Sequence, residues 1–332
     1  AKNGIGFARP NPSVGAVVVY NNKIIGEGFT SKYGGNHAEV NAINAVKDTS
    51  LLKKATIYVT LEPCSHFGKT PPCADLIVKH QLKNVVIGCV DSNSLVAGKG
   101  IKRLKNAGIN VIVGVLEKEC REHHKKFFTV QDKRRPYIIL KWAETKDGFI
   151  APLAKNEQRP VWISNQYSQQ LVHKFRSEEH AILVGTNTVI ADNPKLNVRS
   201  WSGENPVRIV LDKNLRIEKN LSVFDESVKT IFITDKKEYE SIRELIFETI
   251  DFSKNIGVQV CEILYKHQIQ SVIIEGGLQT LQTFINENLW DEALVFIGET
   301  EFNEGIKAPV FNKVIKEMIN IKTDVLKIYT ND

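Results

Sequence analysis

Short apolar runs alternate along the chain with longer amphipathic segments, which is the pattern of an α/β protein. In the first third, the apolar runs predict strands and the segments between them predict helices. The predicted strands are 14–20, 23–29, 55–61, 85–90 and 111–115, and the predicted helices are 37–46, 74–80 and 101–106. Asn21 and Asn22 lie between the first two strands and favour a tight hairpin turn. Together these elements predict a three-layer α/β/α unit.

The pattern changes after residue 116. Residues 117–135 are rich in charge and predict a connecting helix with a solvated face, in which His123 and His124 have no metal-binding role. An apolar run resumes at Tyr137, so we predict one domain at 1–116 and a second at 136–332. The second domain is also predicted to be α/β. Its predicted strands are 137–142, 181–184, 207–211, 230–234 and 271–274, and its predicted helices include 165–176 and 278–287.

Composition agrees with this interpretation. A chain of 332 residues suits two domains, and 42% hydrophobic with 25% charged residues is typical of globular proteins. No apolar run is long enough to span a bilayer, and no signal-peptide pattern opens the chain. The net charge of +6 contains no basic tract dense enough to demand nucleic acid. We therefore expect neither a membrane nor a nucleic acid as partner.

Two further expectations concern cellular location and the start of the chain. The five cysteines are an odd number, which favours a reducing, cytoplasmic location over a disulfide framework. Ala1-Lys2-Asn3-Gly4 has the composition of a last helical turn with its glycine stop, so we expect a helix before residue 1.

The strongest chemical signal lies between His37 and Cys73. His37 is followed two residues later by Glu39 at the start of a predicted helix, while Cys64 and Cys73 each follow a proline. One imidazole and two thiolates suit zinc and leave a fourth position open, as catalytic zinc sites do. The pattern matches the signature of zinc deaminases acting on nucleobases, although eight residues separate the cysteines instead of two. A structural zinc with His66 as fourth ligand is the alternative, but it leaves Glu39 without a task.

The first half of the chain resembles the cytidine-deaminase superfamily, and within it the deaminase domain of bifunctional riboflavin-biosynthesis deaminase/reductases. The resemblance rests on residues 10–15, on His37-Ala38-Glu39 and on the long loop 63–73. It implies zinc held by His37, Cys64 and Cys73, with Glu39 as the catalytic acid and base. It also implies a set of substrate-binding positions: Asn11, His66, Lys69, Asp91 and Asn93. Lys69 is the candidate for contacting a substrate phosphate.

In the second half, a strand ends in Gly276-Gly277 before a helix. Such a turn can expose backbone N–H groups to a phosphate at the helix N-terminus. It is not a G-x-G-x-x-G fingerprint, so Rossmann-type binding is not supported, and a simple tight turn is the alternative interpretation.

Residues 141–148, 162–164 and 181–199 resemble the reductase domain of the same family, which is similar to dihydrofolate reductase in fold and uses NADPH. The implied cofactor-binding positions are Ala143, Trp162, Thr188, Asp192, Gly276, Gly277, Leu278, Gln279 and Thr280. The implied substrate-binding positions are Arg176, Leu196 and Arg199, and the proton donor is either Lys141 or Glu275. The chain departs from the family pattern at Thr145 and Phe149, and a few extra residues lie between Gly148 and Trp162.

The resemblance implies a two-step function. Zinc-dependent hydrolytic deamination of 2,5-diamino-6-(5-phosphoribosylamino)pyrimidin-4-one would be followed by NADPH reduction of the ribosyl chain, giving 5-amino-6-(5-phosphoribitylamino)uracil. One alternative is a monofunctional pyrimidine deaminase with a non-catalytic second domain. Another is a nucleic-acid deaminase, which would need a basic, aromatic-lined channel. We also expect a homo-oligomer, whose subunit number the sequence does not fix.

Overall fold

The protein is represented by a computed structural model that describes residues 1–68, 70–93, 97–155, 157–237 and 239–331. The chain divides into two units, Ala1–Arg134 and Arg135–Asp332. Among the described residues, no helix has both the length and the apolar character that crossing a membrane requires.

The first unit is built on a five-stranded sheet with the spatial order β2-β1-β3-β4-β5. Its strands are β1 (Gly15–Tyr20), β2 (Lys23–Phe29), β3 (Thr56–Leu61), β4 (Asn84–Cys89) and β5 (Asn110–Val113). Its α-helices are α1 (Ala38–Asn44), α2 (Cys73–Lys79), α3 (Lys99–Asn106), α4 (Glu117–His123) and α5 (Lys125–Lys133). Strand β1 is antiparallel to β2 and β3, whereas β3, β4 and β5 are parallel. Asn21 and Asn22 have φ values of 47° and 58°, as a type I′ turn requires, so the predicted hairpin is confirmed.

One face of this sheet is covered by α1, α2 and α3. Every second residue of the central strands is buried against these helices, including Val18, Ile57 and Ile87. On the helix side, Ala42 and Ile77 are fully buried in the same cluster. The period of two in the strands matches the period expected for a sheet with one face against a helical layer.

The segment predicted as a linker, 117–135, forms α4 and α5, and both helices belong to the first unit. His124 is buried, and its Nε2 lies 3.0 Å from the hydroxyl oxygen of Thr60. Phe127 and Phe128 are buried in a small apolar cluster of the same unit. The charged residues that suggested a solvated helix occupy the outer face, while the aromatic side chains attach the segment to the sheet.

The second unit is built on a nine-stranded sheet with the order β11-β10-β9-β8-β12-β6-β13-β16-β15. The strands of this sheet are β6 (Tyr137–Glu144), β8 (Ala181–Gly185), β9 (Val207–Leu211), β10 (Thr230–Thr234), β11 (Leu245–Thr249), β12 (Ser271–Gly276), β13 (Glu292–Ile297), β15 (Ile315–Ile321) and β16 (Asp324–Thr330). Two short strands, β7 (Phe149–Ala151) and β14 (Ile306–Lys307), pair separately as an antiparallel two-stranded sheet. The α-helices are α6 (Gln166–Glu178), α7 (Thr186–Asp192), α8 (Ile256–Lys266) and α9 (Leu278–Asn286). Neighbouring strands from β11 to β13 are parallel, and β16 and β15 continue the sheet in antiparallel pairing.

Both faces of the larger sheet are covered. Val272 and Ile274 of β12 are buried in a cluster with residues of α8 and α9, whereas Ile273 between them is buried in a second cluster with Val172 of α6 and Val189 of α7. Burial on both faces explains why the predicted strands of this domain are continuous apolar runs. The structure therefore confirms the predicted α/β class of the second domain.

Two glycines of β2 allow α1 to approach the sheet closely. A Cβ atom at Gly28 would lie 2.5 Å from the backbone nitrogen of Ala42 and 2.7 Å from the carbonyl oxygen of Ala38. A Cβ atom at Gly26 would lie 2.3 Å from the carbonyl oxygen of Ala42. The backbone of α1 therefore rests directly on the backbone of β2, which fixes the depth of the helix that follows His37.

We expect Gly28→Ala to push α1 away from the sheet and to destabilise the first unit by roughly 1–3 kcal/mol, the usual cost of overpacking. Scanning calorimetry would measure this as a lower unfolding temperature. Ile24→Ala is the matched control, because Ile24 lies on the same strand and is 62% exposed. An unfolding temperature equal to that of the unmodified protein would contradict the close packing.

Candidate active sites

Three elements of the first unit bring His37, Cys64 and Cys73 together. His37 is the residue before α1, Cys64 follows the carboxyl end of β3, and Cys73 is the first residue of α2. Nδ1 of His37 lies 3.5 Å from the sulfur of Cys64 and 3.3 Å from that of Cys73. The three potential ligand atoms all lie within 4.8 Å of one another. The structure thus places the predicted ligands around one point.

The cluster favours a negative charge on Cys64. A hydrogen bond from the thiol of Cys73 lowers the pKa of Cys64, and the backbone N–H of Cys73 donates to the same sulfur at 3.3 Å. The same pairing raises the pKa of Cys73, and the hydrogen bond with Cys64 raises the pKa of His37. A preformed thiolate beside an imidazole is the charge arrangement that a divalent cation stabilises.

This donor set fits Zn²⁺, because two cysteine sulfurs and one histidine nitrogen are typical zinc ligands. Across the part of the chain that the structure describes, no other His, Cys, Asp or Glu joins the cluster. His66, which the alternative of a structural zinc would need as its fourth ligand, is exposed and not part of the cluster. The geometry therefore favours three protein ligands and an open fourth position.

Glu39 lies in the first turn of α1 and is only 3% exposed. Burial, followed by the charge of Cys64, raises the pKa of Glu39 to about 7. A carboxyl group with a pKa near neutrality can both accept and donate a proton, which suits a general acid/base.

The other predicted residues of this pocket differ in their surroundings. Asp91 is buried after the carboxyl end of β4, and burial raises its pKa to about 6. Its Oδ1 accepts a hydrogen bond of 2.7 Å from the backbone nitrogen of Asn93. Asn11 is half-buried. Lys69 lies outside the described residues.

In the second unit, the turn Gly276-Gly277 joins the end of β12 to the start of α9. Gly276 has a φ of 120°, and a Cβ atom there would meet open space. A Cβ atom at Gly277 would lie 3.3 Å from the hydroxyl oxygen of Thr188, and one at Gly185 would lie 2.7 Å from that of Thr280. The first turns of α7 and α9, which follow the adjacent parallel strands β8 and β12, therefore meet.

This arrangement fits the phosphates of a dinucleotide. The N-cap residue of α9 is Gly277, and among the described residues no side chain caps this helix. The backbone N–H groups of Leu278, Gln279 and Thr280 can therefore donate to an anion. The structure brings this turn together with Thr188, a residue that the resemblance also assigns to the cofactor. The positive end of the α9 dipole would stabilise the phosphates of NADPH, and the absence of a Cβ atom at Gly276 leaves space for them.

Asp192 lies one helical turn beyond Thr188 on α7 and forms an ion pair with Lys155. Lys155 belongs to the loop before Trp162, and sequence reasoning did not identify it. The side chain of Gln158 donates a hydrogen bond of 2.8 Å to the carbonyl oxygen of Ile190, which attaches the same loop to α7. Trp162 itself is 55% exposed.

Arg176 of α6 and Glu275 of β12 form a bidentate ion pair, with N–O distances of 2.9 and 2.5 Å. Burial alone would raise the pKa of Glu275, but the charges of Arg176 and Lys141 outweigh it and lower the pKa to about 2. Lys141, on the neighbouring strand β6, has its pKa lowered by burial. Glu275 is therefore ionised at neutral pH, which leaves Lys141 as the remaining candidate of the two predicted proton donors.

Arg199 remains largely available for a ligand. It is exposed, and within the described residues its guanidinium donates a hydrogen bond of 3.2 Å to the Oδ1 of Asn197. Its backbone nitrogen donates to Nδ1 of His173 at 3.4 Å. Burial, followed by the charges of Arg176 and Arg199, lowers the pKa of His173 to about 4. His173 was missed in the sequence, although it lies three residues before Arg176 on one helix face.

Two protein families match the chain. The cytidine and deoxycytidylate deaminase zinc-binding region matches residues 1–89, and the RibD C-terminal domain matches residues 136–300. The chain is 44% identical over 311 residues to the riboflavin biosynthesis protein RibD of Aquifex aeolicus, covering 92% of this chain and 86% of that protein. It is 38% identical over 313 residues to RibD of Bacillus amyloliquefaciens, covering 90% and 83%.

Solved structures agree with these matches. The diaminohydroxyphosphoribosylaminopyrimidine deaminase/5-amino-6-(5-phosphoribosylamino)uracil reductase of Thermotoga maritima superposes with a TM-score of 0.90 at 36% identity, covering 99% of this chain and 95% of that one. RibD of Acinetobacter baumannii, form 1, superposes with a TM-score of 0.89 at 33% identity and the same coverage.

We expect Cys73→Ala to lower bound zinc from one ion per chain to well below one, because two ligands seldom hold the metal that three can hold. Elemental analysis of the purified variant would measure this. Cys261→Ala is the matched control, since Cys261 is a buried thiol of the second unit. Full zinc content in the Cys73 variant would contradict the ligand assignment.

Proposed function

The chain belongs to the RibD family of riboflavin biosynthesis proteins, and from this membership we propose that its two units catalyse successive reactions. The first is a zinc-dependent deaminase that removes the 2-amino group of 2,5-diamino-6-(5-phosphoribosylamino)pyrimidin-4-one. The second is an NADPH-dependent reductase that converts the ribosyl chain to ribityl, giving 5-amino-6-(5-phosphoribitylamino)uracil. The observation that carries this proposal is the His37, Cys64 and Cys73 cluster beside a buried Glu39, in a chain that also has a RibD C-terminal domain.

In the deaminase, His37, Cys64 and Cys73 would hold the metal. Zinc, when bound there, supplies a Lewis acid that lowers the pKa of water. Glu39 accepts a proton from the attacking water and delivers it to the ring nitrogen; it then accepts the second proton from the hydroxyl group added to the ring and delivers it to the amino group, which departs as ammonia while the carbonyl forms. Its burial and its pKa of about 7 support this double role.

The candidates for substrate contacts in the deaminase are polar residues that the resemblance assigns to substrate binding. Asp91 and Asn93 lie after the carboxyl end of β4 and offer polar groups to the ring or the ribose. Asn11 and the exposed His66 are further candidates for the ring or sugar. Lys69, on the long loop between the cysteines, is the candidate for the phosphate.

In the reductase, bound NADPH supplies the hydride. The residues from Gly276 to Thr280 would hold a cofactor phosphate at the start of α9, and Thr188 and Asp192 line the same side of α7. Ala143 of β6 and the exposed Trp162 are the remaining cofactor-binding candidates.

Lys141 is our candidate for supplying the proton that accompanies the hydride, because Glu275 is held ionised by Arg176. Arg176 thereby orients Glu275 instead of presenting its full guanidinium fork to a phosphate. Arg199 is the better phosphate ligand, since its exposed guanidinium can form paired hydrogen bonds with phosphate oxygens. Leu196 is buried beside this segment and offers an apolar contact.

A cytoplasmic location is part of the proposal, and it is supported by five cysteines that all remain unpaired. We also propose a homo-oligomer. The exposed edge strand β15, whose residues include Met318 at 55% and Ile319 at 37% exposure, offers unpaired backbone groups to a second copy.

A coupled assay tests the bifunctional proposal. With the diaminopyrimidinone substrate and NADPH, the unmodified protein should release ammonia and then lose nicotinamide absorbance. Glu39→Gln should keep its zinc and stop releasing ammonia, because an amide cannot transfer the proton. It should still oxidise NADPH when given the deaminated intermediate.

The coupled assay also distinguishes the alternatives. Ammonia release without any NADPH oxidation would indicate a monofunctional deaminase. Activity on single-stranded nucleic acid alone would indicate an editing enzyme. Normal ammonia release by the Glu39 variant would contradict the assigned acid/base role.

We expect Arg199→Ala to raise the KM for the phosphorylated reductase substrate by about ten- to a hundredfold, the loss that corresponds to one charged hydrogen-bond partner. The KM for NADPH should remain near normal. Steady-state kinetics with each substrate varied in turn would measure both. Arg243→Ala, a change at an exposed arginine on a distant connection, is the control. A defect confined to NADPH binding would contradict the assignment.

A further inference from the structure

Glu62 lies directly after β3 and two residues before Cys64, and it is only 4% exposed. Its carboxylate accepts three backbone hydrogen bonds. Oε2 accepts from the backbone nitrogens of Asp91 at 3.3 Å and Gly98 at 2.9 Å, while Oε1 accepts from that of Ile101 at 3.1 Å. Both carboxylate oxygens are therefore used, and the donors come from segments far along the chain.

The three donors show which part of the chain the carboxylate of Glu62 holds in place. Asp91 is the second residue after β4, Gly98 is the last residue before α3, and Ile101 lies in the first turn of α3. The N-cap residue of α3 is Gly98, which has no side chain to cap the helix, so Glu62 satisfies these N–H groups from another strand. A carboxylate at a helix N-terminus is also favoured by the helix dipole.

Backbone packing reinforces these hydrogen bonds. A Cβ atom at Gly100 would lie 2.0 Å from the carbonyl oxygen of Pro63 and 3.1 Å from Oε1 of Glu62. The start of α3 therefore rests directly on the residues that lead from β3 to Cys64. Any side chain at residue 100 would separate the two segments.

We propose that Glu62 is a positioning residue of the deaminase: it holds the backbone at Asp91, Gly98 and Ile101 so that Asp91 and Asn93 face the pyrimidine substrate. Asp91 is held through its own backbone nitrogen, and its carboxylate in turn accepts the backbone N–H of Asn93 at 2.7 Å. The orientation of both substrate-binding candidates thus depends on one buried carboxylate. This inference rests on the proposed deaminase function.

The contacts of Glu62 indicate that its loss should affect substrate binding and not the chemical step. Its three donors are Asp91, Gly98 and Ile101, so none lies on α1, on α2 or in the segment of Cys64, which carry Glu39 and the candidate metal ligands. Loss of the carboxylate should therefore loosen the substrate-binding connection while the metal ligands and the acid/base remain in place. Saturating substrate should restore most of the rate.

The test compares Glu62→Gln and Glu62→Ala with the unmodified protein. A glutamine keeps one acceptor oxygen, but its amide group opposes an N–H donor, so it should raise the deaminase KM by about tenfold. Alanine removes both acceptors and should raise the KM further. The kcat, the zinc content and the reductase activity on the deaminated intermediate should stay within about twofold of normal.

Asp48→Asn is the matched control. Asp48 also caps a helix of the first unit, accepting the backbone N–H of Ser50 at 3.1 Å, but it contacts neither Asp91 nor α3. Its deaminase KM should be unchanged. Scanning calorimetry reports whether the first unit still unfolds cooperatively in each variant; reductase activity does not report this, because the second unit has its own core. If the alanine variant does not fold, the glutamine variant decides.

The outcomes distinguish this inference from the function on which it rests. Absence of ammonia release by the unmodified protein would overturn the deaminase function and this role of Glu62 with it. An active unmodified protein with an unchanged KM in the glutamine variant would overturn the role of Glu62 alone. A lower kcat with lost zinc and an unchanged KM would also overturn it, because Glu62 would then act on the metal loop.

Discussion

The first unit depends on one geometric constraint: an imidazole and two thiols from three separate elements must converge on one point. His37 comes with α1, Cys64 with the end of β3 and Cys73 with the start of α2, and their ligand atoms lie within 4.8 Å. The close approach of α1 to β2, which Gly28 permits, sets the position of the first ligand. The same helix holds Glu39 in a buried environment, where desolvation adjusts its proton affinity. The packing of α1 on β2 therefore positions both a candidate metal ligand and the candidate acid/base.

In each unit, several residues of the candidate site lie at the carboxyl ends of parallel strands. In the first unit Cys64 follows β3 and Asp91 follows β4, and in the second unit Gly185 ends β8 and Gly276 ends β12. Parallel strands end at a common edge, and the helices that follow direct their N-termini towards it. This edge therefore collects anion-binding N–H groups together with the side chains that open each helix. The two units use the same physical rule for different chemistry.

The sequence was sufficient to predict that His37, Cys64 and Cys73 form one cluster, and to predict most strands of the larger sheet, because metal ligation restricts residue type and burial imposes apolar runs. It was insufficient where contacts join distant segments: Glu62 reaches residues 29 and 39 positions later, and Lys155 reaches Asp192 across 37 positions. Strand β15 was also missed, because an exposed edge strand has no buried face to impose alternation. Strand β13 was missed although it is a buried apolar run. The state of Glu275 could not be predicted without its partner Arg176.

Each hydrophobic cluster of the described residues lies within one of the two units, so each unit has its own core. A substitution that destroys one core leaves the other with its own source of stability. Two inactive alleles, one damaged in each half, could therefore restore riboflavin synthesis when expressed together, provided that the intermediate diffuses between molecules. Independent cores thus make intragenic complementation a genetic property of this fold.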